Sequence, residues 1–125
     1  MLRKFFSALF LLTSIVIVLG SLGHASQWTK HVHDALTGVA PQAVGLLEYI
    51  WYWVSGAMCT LGLLLIWTWW RIRRGNRGLF FIPWIVGLFY LAEGVCGMVY
   101  VAPFFSVFAV LALLLFVSTW ALQRS

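Results

Sequence analysis

Residues 67–84 read WTWWRIRRGNRGLFFIPW, and this one stretch decides the fold. Trp67, Trp69 and Trp70 close one long apolar run, and Phe80, Phe81 and Trp84 open the next. Between them Arg71, Arg73, Arg74 and Arg77 crowd into a short basic turn over 71–78, where Gly75-Asn76 supplies residues that tolerate positive φ. Amphipathic rings collect at the membrane–water boundary, and arginines held in a short loop stay on the cytoplasmic side. The stretch therefore predicts two membrane spans that meet at a cytoplasmic hairpin, with the four arginines as topology anchors.

Working outward, the spans on either side are placed at about 44–70 and 79–101. Ala102-Pro103 permits a very short outer hairpin, and Pro103 is well placed to begin a last span at 103–122, closed by Trp120 and Arg124. A first span at 5–23 follows Arg3 and Lys4. It has the outline of a secretory signal, with small residues at Gly23-His24-Ala25, yet its apolar stretch exceeds the ~7–15 residues of a signal core. It is read as an uncleaved signal anchor. Of the basic residues only Lys30 falls outside, so both termini are expected in the cytoplasm. The expected fold is a single all-α domain, a transmembrane four-helix bundle, with residues 24–42 as a polar outer loop. The run before Trp70 is longer than the ~30 Å hydrocarbon core requires, so its first turn, with Glu48, should lie in the outer headgroup layer. Neither an internal repeat nor a heptad array is visible.

Composition agrees. Charged residues make up 9% of the chain against 63% hydrophobic, where a water-facing surface needs about 25% charged. The missing solvent is lipid. A net charge of +5 does not point to nucleic acid, because the cations mark one side of a membrane rather than a binding face. Membrane lipids, a second copy of the chain or a larger membrane protein are the expected partners.

Glu93 carries the most information. It lies about 20 Å along its span from Leu79, inside the hydrocarbon, where an ionised carboxylate costs at least about 2.5 kcal/mol. It should therefore face the bundle interior, be protonated or pair with a cation. Gly87, Gly94 and Gly97 on its own span, with Gly56 and Gly62 on the preceding one, predict that spans two and three pack closely around it. Glu93, Cys96 and Tyr100 share a face opening outward, a candidate site for substrate or ion coupling. The plainer alternative is a neutral Glu serving as interhelical glue, bonded to Ser55 or Thr60. His24, His31, His33 and Asp34 form the one metal-like group, of a chemistry suited to zinc, copper or nickel. His31 and His33 point the same way on extended backbone and diverge on a helix. Surface histidines are the commoner meaning of such a group.

There is no phosphate loop, nucleophile elbow or pair of acids at like depth, so no enzymatic activity is expected. A haem would need a histidine within a helix; none falls in a predicted span, and no cofactor is expected. Arg77-Gly78, Trp84, Tyr90-Leu91-Ala92-Glu93-Gly94-Val95, Leu115-Phe116 and the terminal Arg124 resemble a family of small multi-pass bacterial inner-membrane proteins known only as a domain of unknown function. The likeness covers the C-terminal part, and the longer outer segment here departs from it. It implies a membrane location and a bacterial origin. Small multidrug transporters share the size, but their essential Glu lies in the first helix, and residues 5–23 here hold no charge. An accessory protein working through helix packing is the leading expectation. A small transporter or channel component using Glu93 is the alternative.

Overall fold

The computed structural model describes residues 1–124. Four helices account for nearly all of them: α1 (Leu2–Ala35), α2 (Pro41–Arg73), α3 (Arg77–Tyr100) and α4 (Pro103–Arg124), each long and apolar enough to cross a membrane. The chain is thus an all-α, multi-pass membrane protein whose spans form a four-helix bundle.

The connections are shorter than the sequence implied. Arg71 and Arg73 belong to the last turn of α2, where cations complement the negative end of the helix dipole. Only residues 74–76 turn, through Gly75 at φ 94°. At the other end α1 does not stop near residue 23. It runs on through a π-helical turn, Trp28–Val32, and ends at Ala35. The expected outer loop is thereby corrected: 24–35 is helix, and only 36–40 links it to α2, with Gly38 at φ 90°. Ala40 is extended at ψ 133°, as a residue before proline should be, and Pro41 takes the first helical position. Pro103 opens α4 in the same way.

Length then sets the shape. α1 and α2 have 34 and 33 residues, against 24 and 22 for α3 and α4. All four share the end that carries the arginines, so the α1–α2 pair overshoots the α3–α4 hairpin by roughly 15 Å at the opposite end. The apparent loop is the tip of this projecting hairpin.

α1 is the hub. It packs along α2 on one side and α4 on the other, and α4 in turn packs on α3. α2 and α3 touch only sparingly, mostly near the basic turn. Lipid is as apolar as leucine, so burial gives little drive between membrane helices, and close packing through small and hydroxyl residues supplies the contact instead. The buried positions show this: Phe10, Thr13, Ser14, Ile17 and Ser21 on α1, Ser55, Met58, Gly62, Leu65 and Thr68 on α2. Their spacing of three and four is that of a coiled-coil seam. Ser14 and Thr13 donate to carbonyls four residues back, at 2.8 and 2.9 Å, so their oxygens are satisfied within the helix. Two indoles clamp the α1–α2 pair: Trp69 Nε1 donates to the Ser7 carbonyl at 2.9 Å, and Trp51 Nε1 donates to the His24 carbonyl at 2.8 Å.

The expected packing of the second and third spans around glycine is corrected too. Gly87, Gly94 and Gly97 face α4, against Phe116, Ala109 and Phe105, and Gly62 faces Val18 of α1. Among the described residues, Gly56 has no atom of another element within 4 Å of where a Cβ would stand.

Candidate functional site

α3 opens as a 3-10 turn, Arg77–Phe80, and continues as α-helix from Phe81, so Pro83 falls in the first α-helical turn, where its missing N–H breaks no ladder bond. Tyr90, Gly94 and Gly97 form its buried edge toward α4. Tyr90 is 2% exposed, rests on Phe108 at 5.9 Å between ring centres, and its hydroxyl has no hydrogen-bond partner among the described residues. Glu93, three residues on, has turned out of that edge and is exposed. Cys96 and Tyr100 are exposed as well, Tyr100 at 83%. The three predicted coupling residues do share a region of α3, but they face the membrane side of the bundle rather than its interior. Neither Ser55 nor Thr60 bonds Glu93: Ser55 meets His24, and Thr60 donates to the Gly56 carbonyl at 2.9 Å.

What Glu93 faces follows from helical spacing. Ile85, Phe89 and Glu93 succeed one another at intervals of four, on one stripe. Ile85 and Phe89 line a cavity of about 700 Å³ between α3 and α2, whose other wall is Tyr52, Trp53, Gly56 and Thr60. Because α2 and α3 diverge from the basic turn, this groove opens sideways into the hydrocarbon. Glu93 continues its α3 wall toward the projecting end.

The second group is centred on His24. Its ring stacks on Trp51, 4.2 Å between centres and 12° between planes, and its Nδ1 lies 2.8 Å from Ser55 Oγ. Ser55 Oγ is also 3.0 Å from the Trp51 carbonyl. A hydroxyl has one proton and a carbonyl can only accept, so Ser55 donates to Trp51 and receives from the Nδ1–H of His24. Trp28, 2% exposed, closes the cluster 6.0 Å from Trp51. The π-helical turn that begins at Trp28 adds a residue to that turn of α1, which moves the following side chains around the helix. By residue count the cluster sits where the α1–α2 hairpin leaves the α3–α4 pair.

His31 and Asp34 stand apart from it, exposed near the tip, and His33, also exposed, touches only its edge, 6.4 Å from Trp28 between ring centres. His33 Nδ1 approaches Asp34 Oδ1 at 3.4 Å, and helical backbone turns His31 and His33 about 200° apart. Among the described residues no three His, Cys, Asp or Glu side chains converge. The expectation that no histidine lies within a helix is also corrected, since α1 contains all three.

His24→Ala is expected to loosen the projecting hairpin without unfolding the bundle. It removes one stacked pair and one interhelical hydrogen bond, together about 1–2 kcal/mol. Amide exchange over residues 24–35 should accelerate about tenfold, which about 1.4 kcal/mol produces, while exchange in α3 and α4 stays unchanged.

At the basic end the spacing of Trp and Arg matters in a way the sequence reading missed. Arg71, Arg73, Arg74 and Arg124 lie over Trp67, Trp69, Trp70 and Trp120, at 5.8, 5.0, 3.8 and 4.2 Å from the ring centres. Each pair is four residues apart, so WTWWRIRR already contained three of these cation–π contacts at helical spacing. Arg77 instead donates to the Gln123 carbonyl, and Trp84 Nε1 to Gln123 Oε1 at 3.3 Å, which ties the start of α3 to the end of α4. No family model matches this chain, and no match is found among curated proteins or solved structures.

Proposed function

We propose that this chain is a non-enzymatic accessory protein of the bacterial inner membrane, which works by packing the α2–α3 face against a transmembrane helix of a partner or of a second copy. One observation carries the reading. Glu93, an acid at hydrocarbon depth by residue count, lies on the exposed face of α3 beside an open groove, where none of the described residues covers it. Lipid offers a carboxyl group neither a donor nor a cation, and an unsatisfied polar group in hydrocarbon is costly. A partner helix that lays small or aromatic side chains along Phe89 and Gly56, and a hydrogen-bond donor or cation opposite Glu93, would remove that cost.

The second reading, a small transporter or channel component in which Glu93 couples a proton or cation, rests on the same residue. It requires a closed path around the carboxyl, which another helix across the α2–α3 face would complete. Two substitutions separate the readings. A photo-crosslinker at Phe89, in cells, is expected to capture one discrete membrane partner or a second copy. Glu93→Leu should lower that yield by about threefold to thirtyfold, the equivalent of one intramembrane hydrogen bond of about 0.6–2 kcal/mol. Glu93→Gln keeps the hydrogen bonding and should retain most of the capture. A crosslink indifferent to Glu93→Leu would sink the accessory reading. Loss of an ion flux in Glu93→Gln with capture intact would favour the transporter.

A further inference from the structure

The basic end of the bundle bears a second cavity, half open, of about 800 Å³, that does not involve the α2–α3 face, and its cations are exposed. Arg3 and Lys4 of α1, Arg73 of α2 and Arg77 of α3 all line it, together with Ser7. Four cations from three helices converge there. Asp34, Glu48 and Glu93, the only acids in the chain, all lie in the opposite half, so no acidic side chain reaches the cavity.

Three features call for an anion in it. Arg3 and Lys4 stand in the first turn of α1, where they oppose the positive end of the helix dipole, and that turn has neither an acid nor a side-chain cap. Ser7 Oγ accepts the Trp69 indole at 2.9 Å, which leaves its own proton free to donate. Arg77 spends one guanidinium N–H on Gln123 and keeps the others, in the planar fork that suits phosphate.

The wall chemistry identifies the anion's source. Below the cations the lining turns apolar, with Leu11, Ile72 and Phe80, and all four helices end at this level, where headgroups lie. A free phosphate would gain nothing from those walls, whereas a phospholipid places its phosphate among the cations and its glycerol and first methylenes against the apolar part. We infer that this cavity is a specific site for an anionic phospholipid, with the phosphodiester held by Arg3, Lys4, Arg73 and Arg77. Basic pockets between transmembrane helices are the recognised form of such sites.

The test uses the full chain, synthesised directly into neutral detergent so that insertion orientation does not enter, and titrated with phosphatidylglycerol under native mass spectrometry. One lipid per chain should be retained in preference to phosphatidylcholine, and Arg73→Gln or Lys4→Gln should each weaken retention about fivefold. Arg74→Gln is the matched control: it lies in the same turn, has the same charge and, like Arg73, rests on a tryptophan, but it does not line the cavity. Equal weakening by Arg74→Gln would reduce the effect to general charge attraction and overturn the site. So would equal retention of phosphatidylcholine. Displacement of the lipid by inorganic phosphate at equal concentration would overturn the lipid assignment in favour of a free anion. A fold lost in Arg73→Gln alone is covered by Lys4→Gln, which lies on another helix.

Discussion

Gly94→Leu is expected to part α3 from α4 and to leave no folded bundle in mild detergent, whereas Gly56→Ala should be neutral or slightly stabilising. A Cβ at Gly94 would stand 2.5 Å from the Ala109 nitrogen, 2.9 Å from its Cβ and 3.0 Å from its Cα. Those are backbone and backbone-fixed atoms, so no rotamer change makes room and the helices themselves must separate. Even Gly94→Ala should cost about 1–3 kcal/mol, as overpacking does in a close-packed interior. Leucine forces a wider gap and disrupts the neighbouring contact of Gly97 with Phe105. At Gly56 no described residue of another element comes within 4 Å of a Cβ, and alanine improves helix propensity by up to about 1 kcal/mol. Unfolding in graded sodium dodecyl sulfate, followed by circular dichroism, reads both. If Gly94→Ala matched Gly56→Ala in midpoint, the α3–α4 contact would not depend on backbone approach, and the packing described above would be wrong.

The same pair of glycines shows where the sequence is legible and where it is not. That both permit close approach is written in the residue type. Which neighbour approaches is not, because lipid-facing and helix-facing positions are equally apolar. A soluble helix marks its buried face by hydrophobic contrast, but Leu63 and Leu65 differ here only in that one is 54% exposed and the other wholly buried. The seam is marked instead by Thr13, Ser14, Ser55 and Ser118, whose hydroxyls bond their own backbone, and by Thr68, buried there with no hydrogen-bond partner among the described residues. Read for hydrophobicity, the seam has no heptad; read for small and hydroxyl residues, it has a spacing of three and four.

Local turns and helix starts, by contrast, are legible. Arginine over tryptophan, Pro103 at a helix start and Gly75 at a turn are local matters, decided by residues within a few positions of one another. Depth along the helix places Glu93 in the hydrocarbon by residue count. Rotation about the helix did not follow from depth, and rotation puts the carboxyl on an outer face. The tip failed for a related reason. His24, Lys30, His31, His33 and Asp34 are polar because that part of α1 projects beyond the shorter hairpin, and polarity alone does not distinguish a projecting helix from a loop.

Removal of α1 should be the most damaging change of all. A cut near Ala25 would strip away Phe10 and Ile17, both essentially unexposed, along with the Ser7 and His24 carbonyls that hold the two indole clamps. α3 and α4 would keep their own interface. α2 would retain only the three-residue turn and the sparse contact beside it, because its main partner is α1. The experiment divides the chain at Gly38, an open link position with φ 90°. Expressed alone, residues 39–125 should be degraded at least about tenfold faster than the intact chain, since each 1.4 kcal/mol of lost interaction is worth a factor of ten in the opened population. Supplied together, residues 1–38 should copurify with the remainder and restore protease resistance. Gly62→Leu in the larger fragment should block that rescue, because a Cβ there meets Val18 Cγ2 at 2.6 Å and the Val18 nitrogen at 3.0 Å. The segment that resembles a leader is the element on which α2 and α4 pack. A stable, protease-resistant 39–125 fragment without α1 would make that segment dispensable and return it to the role of a removable leader.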